Sequence, residues 1–449
     1  MWKPPEWVKH AVFYQIFPDR FYNGDPTNDP PGVRPWGELP HGRSFFGGDL
    51  QGILDKLDYL AELGITALYL TPIFKASTNH RYDGEDYFLV DPVLGGNGLL
   101  RRLVDALHAR GIRVVLDGVF NHCGRGHPFF QDVVRRGRSS PYWGWFIIDG
   151  DRPKVNPEPN YACWAGHPAL PEWNHKNPEV REYLLSAVRH WLRDYEIDGW
   201  RLDTVEYLPP DFVKQIYETT KAVNPEAYVL GEVMGLATSW FRHEALDGVM
   251  HYRLWEGLVH FLAQGAWSAD RFVRYVHYIW KSYPLEANYA CYNLLGSHDK
   301  PRFLTLSGGD AKRVELAAAF LFAFPGAPAL YYGDEVGLEG GEDPDCRRCF
   351  PWAGSWNEAL LTKFRELTAL RKGEVALRAG ELVQLRAEGS GVTLVRRHGS
   401  EQILFALNPS PHSLEVPLPA PGVDLVTGAT FRGSICLPPH AFCFIKARP

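Results

Sequence analysis

The stretch LLRRLVDALHARGIRVVLDGVFNH, residues 99–122, changes its period halfway along. Up to Arg110 the apolar residues recur at helical spacing, and Gly111 supplies the usual C-terminal stop. The next segment, IRVVLDG, is a short apolar run of strand length. The same unit returns along the chain. QGILDKLDYLAEL (51–63) stops at Gly64 before TALYLTP, and EVREYLLSAVRHWLRDY (179–195) precedes DGWRLD. DFVKQIYETTKAV (211–223) precedes AYVLGEV, and DAKRVELAAAFLFAF (310–324) precedes ALYYGDEVG. Adding AVFYQIFP, GVMHY (248–252) and NLLGSHD (293–299) gives eight strands. Alternating helices and strands imply an α/β chain with a parallel sheet, and eight strands imply a closed (β/α)8 TIM barrel.

Two regions break the rhythm. Residues 123–174, rich in Gly, Pro and aromatics, separate the third strand from its helix by far more than an ordinary loop. They read as an excursion domain, which leaves 1–122 and 175–375 for the barrel. Beyond it, VTLVRR, ILFALN, LEVPLP and AFCFIKA are short alternating strands between turn residues. They predict a C-terminal antiparallel β-sandwich over 376–449.

With 449 residues, 45% of them hydrophobic, there is material for a large core. A net charge of −6 without a Lys/Arg run argues against nucleic acid as a partner. The N-terminus lacks the basic start and apolar run of a signal peptide, and AAAFLFAFPGAPALYY (317–332) is too broken by proline to span a membrane. Seven scattered cysteines fit a reducing compartment, so the expected location is cytoplasmic. Cys346 and Cys349 have metal-like spacing, but no second pair completes a zinc site.

The acids mark one end of the predicted barrel. Asp117 ends VVLDG, Asp203 ends GWRLD, Glu232 ends VLGE, Asp299 ends LLGSHD, and Asp334 and Glu335 end ALYYGDE. Each stands at the C-terminal end of a strand, where barrels of this kind place their active sites. Arg201 and Asp203, two apart in a strand, point to the same face. A single acid there could be a strand end touching water; so many around one mouth predict a catalytic funnel.

DGVFNH (117–122), GWRLD (199–203), GEV (231–233) and SHD (297–299) resemble, in order, the four short motifs of the α-amylase superfamily, glycoside hydrolase family 13. FPDRFYNGDPTNDP, FFGGDLQGI, LLGSHDKPRFL and GGEDPDCRR further resemble its cyclomaltodextrinase, maltogenic amylase and neopullulanase branch. The resemblance makes Asp203 the nucleophile, Glu232 the general acid/base and Asp299 the acid that grips sugar hydroxyls. It implies substrate contacts from Tyr82, His122, Arg201, His298, Asp117 and Arg302, with His80 on the loop of Tyr82. Retaining hydrolysis needs two carboxyls about 5–5.5 Å apart in opposite protonation states. Arg201 is expected to keep Asp203 ionised, whereas Glu232 has no cation nearby in sequence and would hold its proton by crowding.

Asn23, Asp25, Asn28 and Asp29 crowd into a short segment, with Gly47 and Asp49 coming later in FFGGD. Hard cations take such oxygen donors, and the branch resembled binds Ca2+ with this spacing, as a structural clamp. The alternative is an Asx-rich turn, because NGDPTNDP is also strong turn chemistry.

The resemblance therefore implies a retaining hydrolase of α-1,4-glucosidic bonds in cyclomaltodextrins and maltooligosaccharides, with pullulan as a further candidate. An exo-acting α-glucosidase or a 4-α-glucanotransferase would use the same site, and a non-catalytic glucan-binding protein is the rival from another class. Departures from the branch fall at Glu206 and Tyr207, Trp173 and Met234, and are expected to reshape the side that takes the leaving sugars. The branch commonly carries an N-terminal β-domain that helps build its dimer; this chain starts near strand one, so a more open cleft or another mode of assembly is expected.

Overall fold

The computed structural model describes residues 2–447. Its strands before residue 340 are β1 (Phe13–Ile16), β2 (Ala67–Leu70), β3 (Phe74–Ala76), β4 (Gly84–Val90), β5 (Arg113–Gly118), β6 (Gly199–Leu202), β7 (Tyr228–Gly231), β8 (Gly248–Val249), β9 (Tyr292–Leu294) and β10 (Ala327–Tyr331). Eight of them form one parallel sheet in the order β8-β7-β6-β5-β2-β1-β10-β9. A parallel bridge from Met250 to Tyr292 joins its two ends and closes the barrel. All eight expected strands are in it; β3 and β4 form a separate antiparallel hairpin that sequence reading missed.

Alternation along each strand sorts the side chains. Phe13, Tyr69, Val115, Leu230 and Ala329 fill the barrel interior. Their neighbours Tyr14, Leu68, Val114, Trp200 and Leu202 face outward and join the cluster built with the surrounding helices. In register, Asp117 lies opposite Arg201, which lies opposite Leu230. Arg201 and Asp203 thus point inward at the C-terminal mouth while their neighbours pack against helices.

The predicted helix stops hold. Gly64 and Gly111 take φ of +83° and +72°, the left-handed region that a C-terminal glycine enters without a side-chain clash. The helix expected over 51–63 is broken, into Leu50–Asp55 and Leu57–Glu62. Lys56 leaves helical geometry at the break, and its ammonium sits 4.0 Å from the Tyr22 ring centroid. The apolar helix Ala311–Ala323 is buried from Val314 onward, enclosed by protein; among the described residues no helix is long and apolar enough to cross a membrane.

Residues 123–174 carry one α-helix, Pro128–Arg136, short 3-10 turns and isolated bridges packed over the barrel mouth. The C-terminal part holds β11 (Glu381–Glu388), β12 (Gly391–His398), β13 (Glu401–Asn408), β14 (Leu414–Pro417), β15 (Gly422–Asp424), β16 (Thr430–Phe431), β17 (Ser434–Leu437) and β18 (Ala441–Ala447). Six form the sheet β11-β12-β13-β18-β15-β16, faced by the pair β14-β17. All pairings are antiparallel, and Leu404, Val416, Ile435 and Cys443 fill the space between the layers.

Candidate active site

The C-terminal mouth opens into a cavity of about 610 Å³ lined by Asp203, Glu232 and Asp299, by Tyr82, His80 and His122, and by residues of the excursion. Its floor is organised by Arg201, which is fully buried. Nη1 donates to Asp203 Oδ1 at 2.8 Å and to both Asp117 oxygens at 3.1 Å, while Nη2 lies 2.6 Å from Glu232 Oε1. Two carboxyls held by neighbouring nitrogens of one guanidinium favour the roughly 5–5.5 Å spacing of retaining enzymes over the wider inverting one.

Thr204 ties the same two acids together from the other side, and sequence reading gave no signal for it. Its amide donates to Glu232 Oε2 at 2.8 Å, and its hydroxyl donates to Asp203 Oδ2 at 3.2 Å. To do this it takes φ +44°, ψ +45°, a conformation that a β-branched residue adopts only at a cost.

The electrostatics differ from expectation in two respects. Asp203, expected to be kept ionised by Arg201, is raised well above the ordinary carboxylate range by burial and then by Glu232. Glu232, expected to lack a cation, has Arg201 Nη2 at 2.6 Å. Arg201 does not serve Asp203 alone: it pairs with Asp117, Asp203 and Glu232 at once. Burial is the largest influence on all three carboxyls and raises each; Asp117 is pushed up to about 6. Asp203 is raised further by the charge of Glu232, and Glu232 by that of Asp299, with Arg201 opposing both. One cation faces several acids, and their mutual repulsion raises the affinity of the cluster for a proton.

The remaining candidates fall into two groups. Tyr82, His122 and Asp299 reach the cavity. The Tyr82 ring stacks on His298 at 5.4 Å and 8°, and its hydroxyl contacts Asp117 Oδ2 at 3.0 Å and His298 Nε2 at 2.5 Å. His122 is buried with Nε2 lacking any partner, and burial lowers it to about 4, so it meets the cavity as a neutral ring. His298 is likewise driven well down by burial and then by Arg347 and Arg201. Asp299 takes an ion pair from Arg347 at 3.5 Å, and Arg347, itself in the wall, donates Nε to the His298 carbonyl at 2.8 Å.

Asp117, Arg302, His298 and Arg201 are corrections. His298 is buried outside the cavity lining with Nδ1 against Gln15 at 2.7 Å and Nε2 against Tyr82, so neither ring nitrogen is left for a sugar hydroxyl. Arg201 lies beneath the acids it pairs with. Asp117 is buried beneath the floor and accepts from Tyr69, Tyr82 and Arg201, so it positions those side chains rather than facing the cavity. Arg302 is fully enclosed; it pairs with Asp334 at 2.7 Å and donates to the carbonyls of Tyr332 and Cys346. Asp334 and Glu335 do not reach the mouth either, because the chain turns into the 3-10 segment Asp334–Val336. Trp173 is also misplaced by sequence: it is buried, stacks on Phe146 at 5.1 Å and donates to Tyr87 at 3.1 Å. Glu206, Tyr207 and Met234 do line the cavity, with Trp164 opposite Tyr207 at 6.4 Å. Trp164 was missed; its indole N–H is buried and has no partner.

Near the N-terminus, Asn23 Nδ2 donates to Asp29 Oδ1 at 2.9 Å, and a Cβ on Gly47 would fall 2.2 Å from that same oxygen. Asn28 Nδ2 donates to Asp49 Oδ2 at 2.9 Å. The Asp49 carboxylate caps the helix Leu50–Asp55 and accepts the amides of Gly24 and Asp25, while the Asp25 carboxylate turns to Thr27. Among the described residues no three His, Cys, Asp or Glu side chains are arranged to hold a metal. The free donors are of another kind: the amide oxygens of Asn23 and Asn28 are buried without partners, which suits a hard cation.

The alpha-amylase catalytic-domain family matches residues 15–365. The chain is 44% identical to the cyclomaltodextrinase of Geobacillus thermopakistaniensis, across 98% of this chain and 78% of that one. It is 42% identical to the maltogenic alpha-amylase of Bacillus acidopullulyticus, across 93% and 72%. Among solved structures, the cyclic alpha-maltosyl-(1→6)-maltose hydrolase from Arthrobacter globiformis superposes with a TM-score of 0.93 at 39% identity, covering 99% of each chain. With the eight-stranded barrel and the acids grouped at its mouth, the chain belongs to the α-amylase family of glycoside hydrolases.

Proposed function

We propose that the protein cleaves α-1,4-glucosidic bonds of cyclomaltodextrins and maltooligosaccharides with net retention, through a covalent glycosyl-enzyme. The observation that carries this is the anchoring of Asp203 and Glu232 to one buried guanidinium at the cavity floor. Asp203 attacks the anomeric carbon; the negative charge of Asp299 beside Glu232 favours the proton on Glu232, which delivers it to the leaving oxygen. Glu232 then takes a proton from water as the intermediate is hydrolysed. Asp299 and His122, both in the cavity wall, bind hydroxyls of the reacting sugar, and Tyr82 packs against its ring. Asp203→Asn and Glu232→Gln should each lower turnover of a cyclomaltodextrin by about 10⁴-fold or more. A variant keeping most of its activity would defeat these roles, and proton NMR of the first product should show the α-anomer.

The proposal includes a structural calcium ion at the N-terminal cradle. Asn23 and Asn28 supply its free side-chain oxygens, and Asp25, Asp29, Gly47 and Asp49 complete the cradle. It would clamp the segment 23–29 to the start of the helix Leu50–Asp55 and take no part in the chemistry.

A further inference from the structure

The end of the barrel opposite the acids holds a second cavity, of about 290 Å³. It lies where the strands begin: Arg113, the first residue of β5, lines it, as do the helix-stop glycines Gly64 and Gly111. Its ionisable lining is cationic, with Arg113, Arg371, Lys372 and Arg378 beside His10 and Trp7, and it contains no aspartate or glutamate.

Arg113 is already neutralised by Asp198 at 2.6 Å and lies over the Trp7 ring. The others are not. Arg371 is fully buried, and its Nη atoms donate to the carbonyls of Phe322, Leu377, Lys9 and Gly326, never to a carboxylate. Its Nε has no partner. Arg378 directs Nη1 at His10 Nδ1, 3.4 Å away, and its own Nε is also buried without a partner. Among the described residues, no ion pair reaches Arg371, Lys372 or Arg378. Burial, and then the charges of Arg396 and Arg378, push Arg371 well below the ordinary arginine range. A buried cation without a counter-charge is costly, and the cost falls when an anion enters.

We propose that this cavity binds a phosphate dianion, held by Arg371, Arg378 and Lys372. The Nε groups of Arg371 and Arg378 are the guanidinium donors left over, and a tetrahedral oxyanion can accept from both and from the Lys372 ammonium. The surplus of positive charge suits a dianion better than a monovalent ion. The dianion arrives either as inorganic phosphate or as the phosphoryl group of a phosphorylated sugar. The cavity is separate from the cleft, so occupancy and hydrolysis are independent readouts.

Isothermal titration of the full chain with inorganic phosphate and with glucose 6-phosphate, in chloride of matched ionic strength, tests this. Phosphate should bind and raise the Tm above the chloride control. Arg378→Gln should weaken binding about tenfold or more, and the exposed Lys372→Ala severalfold, with cyclomaltodextrin turnover unchanged in both. Equal affinity for the two probes assigns inorganic phosphate, and tighter binding of glucose 6-phosphate assigns the sugar phosphate. No binding of either probe by the wild type overturns the proposal. So does unchanged binding in Arg378→Gln, which is half-buried at the rim and is expected to fold.

Discussion

Glu335 offers a test of whether the buried acids of this barrel end carry the energies their surroundings imply. It is fully buried; Oε1 accepts from Tyr14 at 2.5 Å and Tyr59 at 2.6 Å, and Oε2 has no partner. Among the described residues no cation forms an ion pair with it, and burial pushes the carboxyl from its ordinary 4.5 up to about 7. Because the fold raises this acid, the protonated form is the one it stabilises. That stability is fully present below pH 4.5 and is lost as pH climbs through about 7. The gap between the two values corresponds to about 3 kcal/mol. Glu335→Gln keeps an acceptor for both tyrosines but places an amide N–H₂ where Oε2 lacks a partner, costing about 1–3 kcal/mol at any pH. The informative quantity is therefore the difference in pH dependence, in which all groups shared by the two proteins cancel. Urea unfolding at about pH 5 and about pH 9 should show the wild type losing about 2.5 kcal/mol more than the variant across that interval, part of the full effect being lost already at about pH 5. Parallel curves would refute the reasoning and imply that water or a shifted cation compensates Glu335.

Elsewhere in the fold, Arg302→Ala strands the buried Asp334 without its cation and should destabilise the protein by about 3–5 kcal/mol in denaturant unfolding, while KM for maltooligosaccharides stays within about twofold because Arg302 does not reach the cleft. Trp164→Ala removes an aromatic wall from the cavity and should raise KM about tenfold in steady-state kinetics with little change in kcat. Chelation of calcium should lower the Tm, with readdition restoring it, and Asn28→Ala should abolish that response in differential scanning calorimetry.

The barrel was legible because its signals are local. Helical spacing, a stopping glycine and a short apolar run each lie within about twenty residues, so all eight strands could be placed from the sequence. Arg201 and Asp203 were legible because strand alternation fixes their common face. Where reading failed, the deciding contact was distant in the chain. Asp334 looked like one more acid at the mouth, but its partner Arg302 stands thirty-two positions earlier and draws it under the floor. Trp173 sits in the irregular excursion, where no period predicts a side, and Phe146 and Tyr87 hold it inside. Thr204 had no signature at all, since its importance lies in a backbone conformation and an amide direction.

Arg201 is shared by more acids than it can neutralise, and that imbalance bears on catalysis. Asp117, Asp203 and Glu232 converge on one guanidinium, with Asp299 a short step further into the cavity. A stabilising arrangement would match acids with cations; here the acids outnumber the cation, and burial raises every carboxyl on it. The excess negative charge is a cost in the free protein. It is complementary to the positive charge that develops on the sugar ring as the glycosidic bond breaks, and it acts across a floor from which solvent is largely excluded. On the proposed roles, the same crowding also favours the proton on Glu232 that the leaving oxygen needs. A second cation beside Glu232 would relieve the repulsion and remove both effects, which is why a single buried arginine suits this chemistry better than a balanced set of ion pairs.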